Sequence, residues 1–459
     1  MKNVILVPEL RELIQQKDTD TLRDFCESSH PAEVADCISA LEPEEIWQIL
    51  LYVKPEIRAE IFSHFAEEDQ LEITEKLDRN ELSKLMTDMS HDDRVDLFKK
   101  LPEETQKSLL PALAQAERED IRRLAAYAEG TAGSVMTSEY ATLRPDQTVA
   151  EAIETLRLQA PNKETIYYAY IVDDQRRLKG FVSLKDLIIA KPTEYIHKIM
   201  HRDVISVNAM DDQEEAARKI QKYDLIAIPV VNGDNVLVGI ITHDDALDII
   251  TQEHTEDMEK IMAIAGSHEA GVYLRTPSWV HFKNRAYWIV GLAALGLVSG
   301  IIIHSFESTL MNLLILALYM PMVADTGGNT GSQSATVVVR ALALKEISPK
   351  DFLKVIFKEF KISILLAMVL GLLSWAKVMF LSQGSQIPSG FNLAGIGFAI
   401  AIALSLQVIT ATLIGAMLPL IAAKLKFDPA VVASPALTTI VDITGLVIYF
   451  TTAKLILGI

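Results

Sequence analysis

From Arg285 onward the chain is almost unbroken apolar sequence, and that run rules out a purely water-soluble fold. A helix needs about 20 apolar residues to cross the hydrocarbon core of a bilayer. Five stretches meet that length, at 286–304, 310–338, 359–381, 391–423 and 431–456. The charge divides at the same place. The whole chain has 43 Lys+Arg and 61 Asp+Glu; residues 285–459 hold 11 and 7 of them, which leaves 32 and 54 for residues 1–284. A membrane part of net charge +4 is therefore joined to a soluble part of net charge −22. Such an acidic partner suits a protein that moves cations, senses them, or both.

Orientation follows from the basic residues. The 339–361 connection carries Arg340, Lys345, Lys350, Lys354, Lys358 and Lys361, and 424–430 carries Lys424 and Lys426. The 304–309 and 382–390 connections carry no Lys or Arg. Positive loops stay in the cytoplasm, so the soluble part is expected inside and the C-terminus outside. The opening MKNVILVPEL has no apolar core long enough for a signal peptide. Two cysteines, Cys26 and Cys37, are too few for a disulfide framework or a Cys-rich metal site.

Residues 30–125 repeat with a period of about twelve: HPAEVADCISAL, EPEEIWQILLYV, KPEIRAEIFSHF, AEEDQLEITEKL, DRNELSKLMTDM and SHDDRVDLFKKL begin at 30, 42, 54, 66, 78 and 90. Each phrase opens with turn or capping residues and then places apolar residues at helical spacing. One unit cannot bury its own apolar stripe, so stacking into a helical superhelix is expected.

A second repeat covers 135–250. Val135-Met136-Thr137 recurs as Ile199-Met200-His201, and TVAEAIETL is answered by DQEEAARKI. YIVDDQRRLKGFVSLKDLI then aligns with PVVNGDNVLVGIITHDDAL, pairing Gly180 with Gly239 and Asp186 with Asp245. The order β-α-β-β-α, twice over, resembles a tandem pair of CBS domains, which are regulatory modules that bind nucleotides or ions. From 247 to 275 an amphipathic helix leads toward the first span, with Glu253, Glu256, Asp257 and Glu259 close to the membrane.

Ionisable residues inside spans are costly and point to function. Asp442 lies in TTIVDITGLVIYF with long apolar runs on both sides. Lys377 and Lys454 sit near helix ends and are expected to snorkel. The stretch 321–342, PMVADTGGNTGSQSATVVVRAL, interrupts a spanning helix with glycines, Asn329, Gln333 and hydroxyls beside Asp325. It is expected to be irregular against a polar pathway, the alternative being close helix packing through small residues. Asp428-Pro429 reads as an N-cap opening the fifth span. Oxygen ligands without a Cys or His cluster favour a hard cation, and Mg2+, which keeps its waters, suits one carboxylate per subunit doubled by a two-fold axis; Ca2+ and Mn2+ stay open.

HPAEVAD, DDRVDL, the CBS pair, the acidic connecting helix, TGGNTGSQSATVVVRALAL and DPA…SPALTTIVDITGLVIY together resemble the bacterial MgtE-type magnesium channels, over the whole length. The resemblance implies a multidomain membrane protein: an acidic helical-repeat domain (1–130), tandem α/β CBS domains (131–250), a connecting plug helix (251–280) and a five-helix transmembrane domain (281–459) in a homodimer in the bacterial cytoplasmic membrane. Asp442 is then the pore carboxylate for hydrated Mg2+, and Asp428 lies at the cytoplasmic mouth facing Glu256 and Asp257 of the plug. Sensor ions are held by Glu214, Asp224, Asp245 and Asp248, with Glu60, Asp92 and the Gly133 carbonyl completing the sites. Gly327, Gly328, Asn329, Asp325 and Thr438 line the pore. Ser332 and Ser434 stand where some relatives carry Asn, so no amide ligand is expected there. ATP at the CBS pair and other divalent cations in the pore are left open. The partners implied are a second copy, the lipid bilayer and Mg2+, not nucleic acid. The competing functions are a coupled carrier or exporter, which an interrupted second span would suit, and a membrane-anchored nucleotide sensor. No phosphate loop, nucleophile–base pair or metal-hydrolase motif suggests an enzyme.

Overall fold

The structure, a computed structural model, describes residues 6–264, 273, 276–385, 387–430 and 435–458, so Ser434 lies outside the described residues. Two compact units divide the chain, Met1–Ile250 and Thr251–Ile459.

The first unit opens with helices α1 (Val7–Gln16), α2 (Thr19–Ser28), α3 (Pro31–Ile38), α4 (Pro43–Leu50), α5 (Pro55–Ser63), α6 (Glu67–Thr74), α7 (Arg79–Asp88), α8 (His91–Lys100), α9 (Glu103–Leu109) and α10 (Gln115–Leu124). The N-caps of α3 to α8 are His30, Glu42, Lys54, Ala66, Asp78 and Ser90, so the twelve-residue repeat is a repeat of helix starts. Pro31, Pro43 and Pro55 occupy first-turn positions, where the missing N–H has no intrahelical role. Alternate helices pack together (α3 on α5 on α7, α4 on α6 on α8), which generates a two-layered superhelix. The repeat carries a second device at its fifth position. Arg58 donates to the Leu50 and Val53 carbonyls, Gln70 to Phe62 and Ser63, Arg94 to Met86, Thr87 and Met89, and Gln106 to Lys99 and Leu101. Each side chain satisfies the orphan carbonyls where the preceding helix ends.

The CBS pair follows, with β1 (Tyr140–Leu143), α11 (Val149–Gln159), β2 (Thr165–Val172), β3 (Leu178–Ser183) and α12 (Leu184–Ile189) in the first copy. After α13 (Ile196–Ile199), the second copy has β4 (Val207–Asn208), α14 (Gln213–Tyr223), β5 (Ala227–Val231), β6 (Leu237–Thr242) and α15 (His243–Ile261). Each sheet runs β1-β2-β3 or β4-β5-β6, parallel then antiparallel. The paired glycines have one cause. Thr137 exchanges backbone hydrogen bonds with Ile240 at 2.9 and 3.0 Å, and His201 does so with Phe181 at 2.9 and 3.0 Å. The opening segment of each copy thus caps the closing strand of the other. A Cβ on Gly239 would stand 2.5 Å from Met136 Sδ and 2.8 Å from the Thr137 carbonyl, and one on Gly180 would stand 2.6 Å from the His201 carbonyl.

The second unit contains α16 (Ser278–Ser305), α17 (Glu307–Asn312), α18 (Ile315–Ala343), α19 (Phe352–Leu381), α20 (Leu393–Lys424) and α21 (Pro435–Leu457). Five apolar spans were expected; among the described residues four helices are long and apolar enough to cross a membrane. The exception is α18, whose 29 residues include Asp325, Asn329, Gln333 and many hydroxyls. It also corrects the expected interruption at 321–342, because α18 is one continuous helix through that stretch. Its threonine hydroxyls fold back onto its own carbonyls (Thr326 on Met322, Thr330 on Thr326 and Gly327, Thr336 on Ser332), so they need no outside partner. Its glycines serve packing: a Cβ on Gly415 of α20 would overlap the Gly331 backbone.

Gly239→Ala is expected to lower the stability of the chain by about 1–3 kcal/mol, the range for overpacking against backbone, read as a drop in thermal midpoint. Gly233→Ala, where an added Cβ meets nothing within 4 Å, is the control and should leave the midpoint almost unchanged.

Candidate cation sites

In the membrane unit the functional side chains separate onto two faces of α18. Asp325, Asn329, Gln333, Thr336 and Arg340 are exposed, and spacings of three and four residues set them in one polar stripe. Gly327, Gly328, Thr330, Gly331 and Ser334 are buried on the opposite side. Of the expected pore-lining set, Asp325 and Asn329 therefore occupy the open stripe, while Gly327 and Gly328 occupy the packed side. A Cβ on Gly328 would meet the Thr438 methyl group of α21, and one on Gly327 would overlap Gln407 of α20. Asp442 is half-exposed on α21, close enough to Asp325 for the two charges to repel. Ser332 is half-exposed.

One buried carboxylate escaped the sequence reading. Glu359 of α19 is 7% exposed and accepts a 2.9 Å hydrogen bond from Ser334 Oγ. It lies where the apolar run begins, among Lys354, Lys358 and Lys361, so in the sequence nothing separates it from the charged connection.

A second group forms where the last turns of α15 meet the segment before α21. Lys260 Nζ lies 2.8 Å from Glu256 and 3.2 Å from Asp428. Burial alone would lower the lysine pKa, but the hydrogen bonds to both carboxylates outweigh it and push it up to about 12. Asp257 is raised, first by burial and then by the charge of Asp428, with Lys260 opposing. Asp428 Oδ1 accepts from Ala430 N–H at 2.9 Å. Asp428 thus caps its own turn, and the residues that join it to α21, 431–434, lie outside the described residues. The acids of this group are legible in the sequence as a cluster, whereas no motif or spacing marks Lys260 among them.

The third group belongs to the soluble unit. Asp245, third residue of α15, accepts from Thr242 Oγ1 at 2.5 Å and from Thr242 N–H at 3.2 Å. Its counterpart in the first copy, Asp186, is bonded the same way by Ser183 and adds His201 at 3.1 Å. There the similarity ends. Burial works to raise Asp186, but Ser183 and then His201 hold it below the usual carboxylate range. Asp245 faces Asp92 in place of a histidine, and burial followed by that charge pushes it up to about 8. Asp92 is itself raised by burial and by Asp93, and its Oδ1 is buried with no hydrogen-bond partner among the described residues. The nearby Glu164 is exposed at the surface, and desolvation together with the charges of Asp92, Glu139, Asp244 and Asp93 raises it above the usual carboxylate range. An orphaned buried carboxylate oxygen amid repelling acids is the donor set that a hard divalent cation relieves.

The remaining expected ligands stand elsewhere. Glu214 is ion-paired with Arg218 one turn along α14. Asp224 adopts a left-handed conformation, φ +50°, as the C-cap of α14. Glu60 and Asp248 are exposed. Gly133 donates its N–H to the Ala209 carbonyl at 2.9 Å, and a Cβ there would strike the Tyr127 ring. Among the described residues no three His, Cys, Asp or Glu side chains converge as a metal-holding group.

Asp245 sets a pH dependence. Its folded value of about 8 exceeds the ordinary 3.8, so between these the folded chain keeps a proton that the unfolded chain releases, and stability falls as pH rises. Without divalent ions the thermal midpoint should fall from about pH 6 to about pH 8.5. Asp245→Asn should flatten that slope, and so should Mg2+ in the millimolar range.

Comparison with known proteins adds sequence relatives to this geometry. The family profile of the MgtE divalent cation transporter matches residues 320–452, that of the MgtE intracellular N domain matches 29–130, and the CBS domain matches 132–192 and 196–252. The chain is 36% identical to the magnesium transporter MgtE of Thermus thermophilus, over 98% of both chains. It is 34% identical to the magnesium transporter MgtE of Bacillus subtilis, over 96% of this chain and 95% of that one. The solved cytosolic domain of the Mg2+ channel MgtE in complex with ATP is 38% identical, with a TM-score of 0.50 over 52% of this chain and 98% of that one. The solved soluble part of a magnesium transporter is 32% identical, with a TM-score of 0.51 over 54% of this chain and 97% of that one.

Proposed function

The chain belongs to the MgtE family of magnesium transporters, and from that membership we propose that it is a Mg2+-selective channel closed by cytosolic Mg2+. Mg2+ is the transported ion, and the apolar helices hold the chain in a membrane with the N-terminal domain on the cytosolic side. The finer reading puts it in the bacterial cytoplasmic membrane as a homodimer with its C-terminus outside.

The observation that carries the channel reading is the polar stripe of α18 beside Asp442. Asp325, Asn329 and Gln333 facing lipid would be costly. A second copy across a two-fold axis would turn that stripe into the wall of a water-filled pathway, with Asp442 of each subunit holding hydrated Mg2+ through its waters. The features that favour a channel over a coupled carrier include the unbroken α18, which removes the discontinuous helix that carriers use for their sites.

Closure follows from repulsion. Asp92 and Asp245 in the soluble unit, and Glu256, Asp257 and Asp428 in the other, are carboxylates held closer than their charges favour. Bound Mg2+ supplies the positive charge that lets such groups stay together, so it favours the compact, closed arrangement by its greater affinity for that state. Glu60, Glu214, Asp224, Asp248 and the Gly133 carbonyl are further candidate ligands on the strength of the family. ATP is a candidate ligand of the CBS pair, because a similar cytosolic domain has been solved with ATP.

Mg2+ entry into proteoliposomes should be lost in Asp442→Ala and should fall in wild type as Mg2+ on the cytoplasmic face rises; entry indifferent to both would refute pore and sensor. Entry that depends on a co-ion would establish a carrier instead. Neutralising Asp248 and Asp257 together should leave entry open at high cytoplasmic Mg2+. Lys260→Met leaves Glu256, Asp257 and Asp428 uncompensated, so closure should require several-fold more cytoplasmic Mg2+, about the factor that one partly buried charge pair contributes.

A further inference from the structure

Gln407 is a polar side chain at 0% exposure in the middle of the long apolar helix α20. Its Nε2 donates a 2.9 Å hydrogen bond to the carbonyl of Val441, the residue before Asp442. Its Oε1 is buried with no hydrogen-bond partner among the described residues. The amide fits only because two other helices leave room for it. A Cβ on Gly445 of α21 would stand 2.6 Å from Nε2, and a Cβ on Gly327 of α18 would overlap the same group.

Packing alone does not call for an amide here. An apolar side chain of similar volume would fill the space without leaving an orphan oxygen. What the amide supplies is a directional bond to one carbonyl of α21, which Thr444 Oγ1 also engages at 3.0 Å. Successive residues of a helix are turned by about 100°. With the Val441 carbonyl held and its side chain buried, the neighbouring Asp442 has one azimuth, half-exposed on the side where Asp325 of α18 also lies. Gly327 sits two residues from Asp325, so the same amide registers α18 against α21.

We propose that Gln407 is a positioning residue for the Asp442 carboxylate: it fixes the rotation of α21, and the depth of α18 beside it, so that Asp442 meets the hydrated ion in one geometry. The proposal rests on Asp442 being the pore carboxylate. Discrimination between Mg2+ and a larger cation such as Ca2+ then depends on a residue that touches no ion.

The test uses the full chain in proteoliposomes, with Mg2+ and Ca2+ entry measured for wild type, Gln407→Leu, Gly445→Ala, Asp442→Asn and the Gln407→Leu/Asp442→Asn double variant. Thermal midpoints in detergent establish which variants are folded. Gln407→Leu keeps the volume and loses the bond, whereas Gly445→Ala keeps the amide and pushes it off Val441. Both should raise the half-saturating Mg2+ concentration by about tenfold, the factor equivalent to about 1.4 kcal/mol, and should reduce the preference for Mg2+ over Ca2+. In the Asp442→Asn background Gln407→Leu should add nothing further, because its effect passes through the carboxylate. A lowered midpoint with unchanged half-saturation and selectivity in both variants overturns the proposal and leaves Gln407 a packing residue. Additive effects in the double variant overturn it as well. If Asp442→Asn itself conducts like wild type, the reading of Asp442 falls, and this one falls with it.

Discussion

A polar group carried to membrane depth has no water to bond, so its partner must come from protein or from a hydrated pathway that the protein itself builds. The second unit is arranged around that requirement. Tyr449 and Tyr319 bury their rings and spend their hydroxyls on the Leu316 carbonyl and on Ser382, at 2.8 and 2.6 Å. Threonines turn back onto their own helices, and Glu359 is matched with Ser334. Apart from the buried Gln407 Oε1 and Ser374 Oγ, what is not matched this way is gathered into the stripe from Asp325 to Arg340 and left open to one side. The close approach of α18 to α20 and α21 through Gly327, Gly328, Gly331, Gly415 and Gly445 permits this division, because small residues let one face vanish into packing while the other stays polar.

The soluble unit meets a different constraint with the same chemistry. Its carboxylates are too many for its cations, and several are drawn out of water. Histidine stands opposite Asp186 in one repeat, whereas in the other Asp92 stands opposite Asp245. An internal duplication has therefore yielded one settled position and one unsettled one. The unsettled one is where an external cation would change the balance, as proposed above. Lys260 shows the alternative solution, a cation supplied by the chain itself between Glu256 and Asp428.

Much of this architecture was legible in the sequence because its signals are local. Turn chemistry marked the helix starts at 30, 42, 54, 66, 78 and 90, and the duplicated Met and Gly marked the CBS pair. The reason for the glycines was not legible, since the opening segment that crowds each one comes from the other copy. Nor was the reach of Arg58, Gln70, Arg94 and Gln106 to carbonyls of a preceding helix, which depends on how helices stack. The glycine-rich stretch was misread because the same residues signal a break and a close contact; only the partner surface, with Gln407 and Gly415, tells them apart. Gln407 itself looked like one polar residue in an apolar run, without a spacing or motif to single it out.

The polarity of α18 also bears on how the chain enters a membrane during synthesis. A segment holding Asp325, Asn329 and Gln333 gains little from lipid by itself, because a charged residue near a helix centre opposes insertion by about 2.5–3.5 kcal/mol. The surfaces that accept its buried face, on α20 and α21, are made only after roughly fifty to ninety further residues, at an elongation rate of about 5–20 residues per second. For several seconds, then, α18 waits without α20 and α21, in the company of α16, α17 and α19. Integration of this unit is expected to be a late, collective event, in which the arrival of α20 draws α18 into the bilayer.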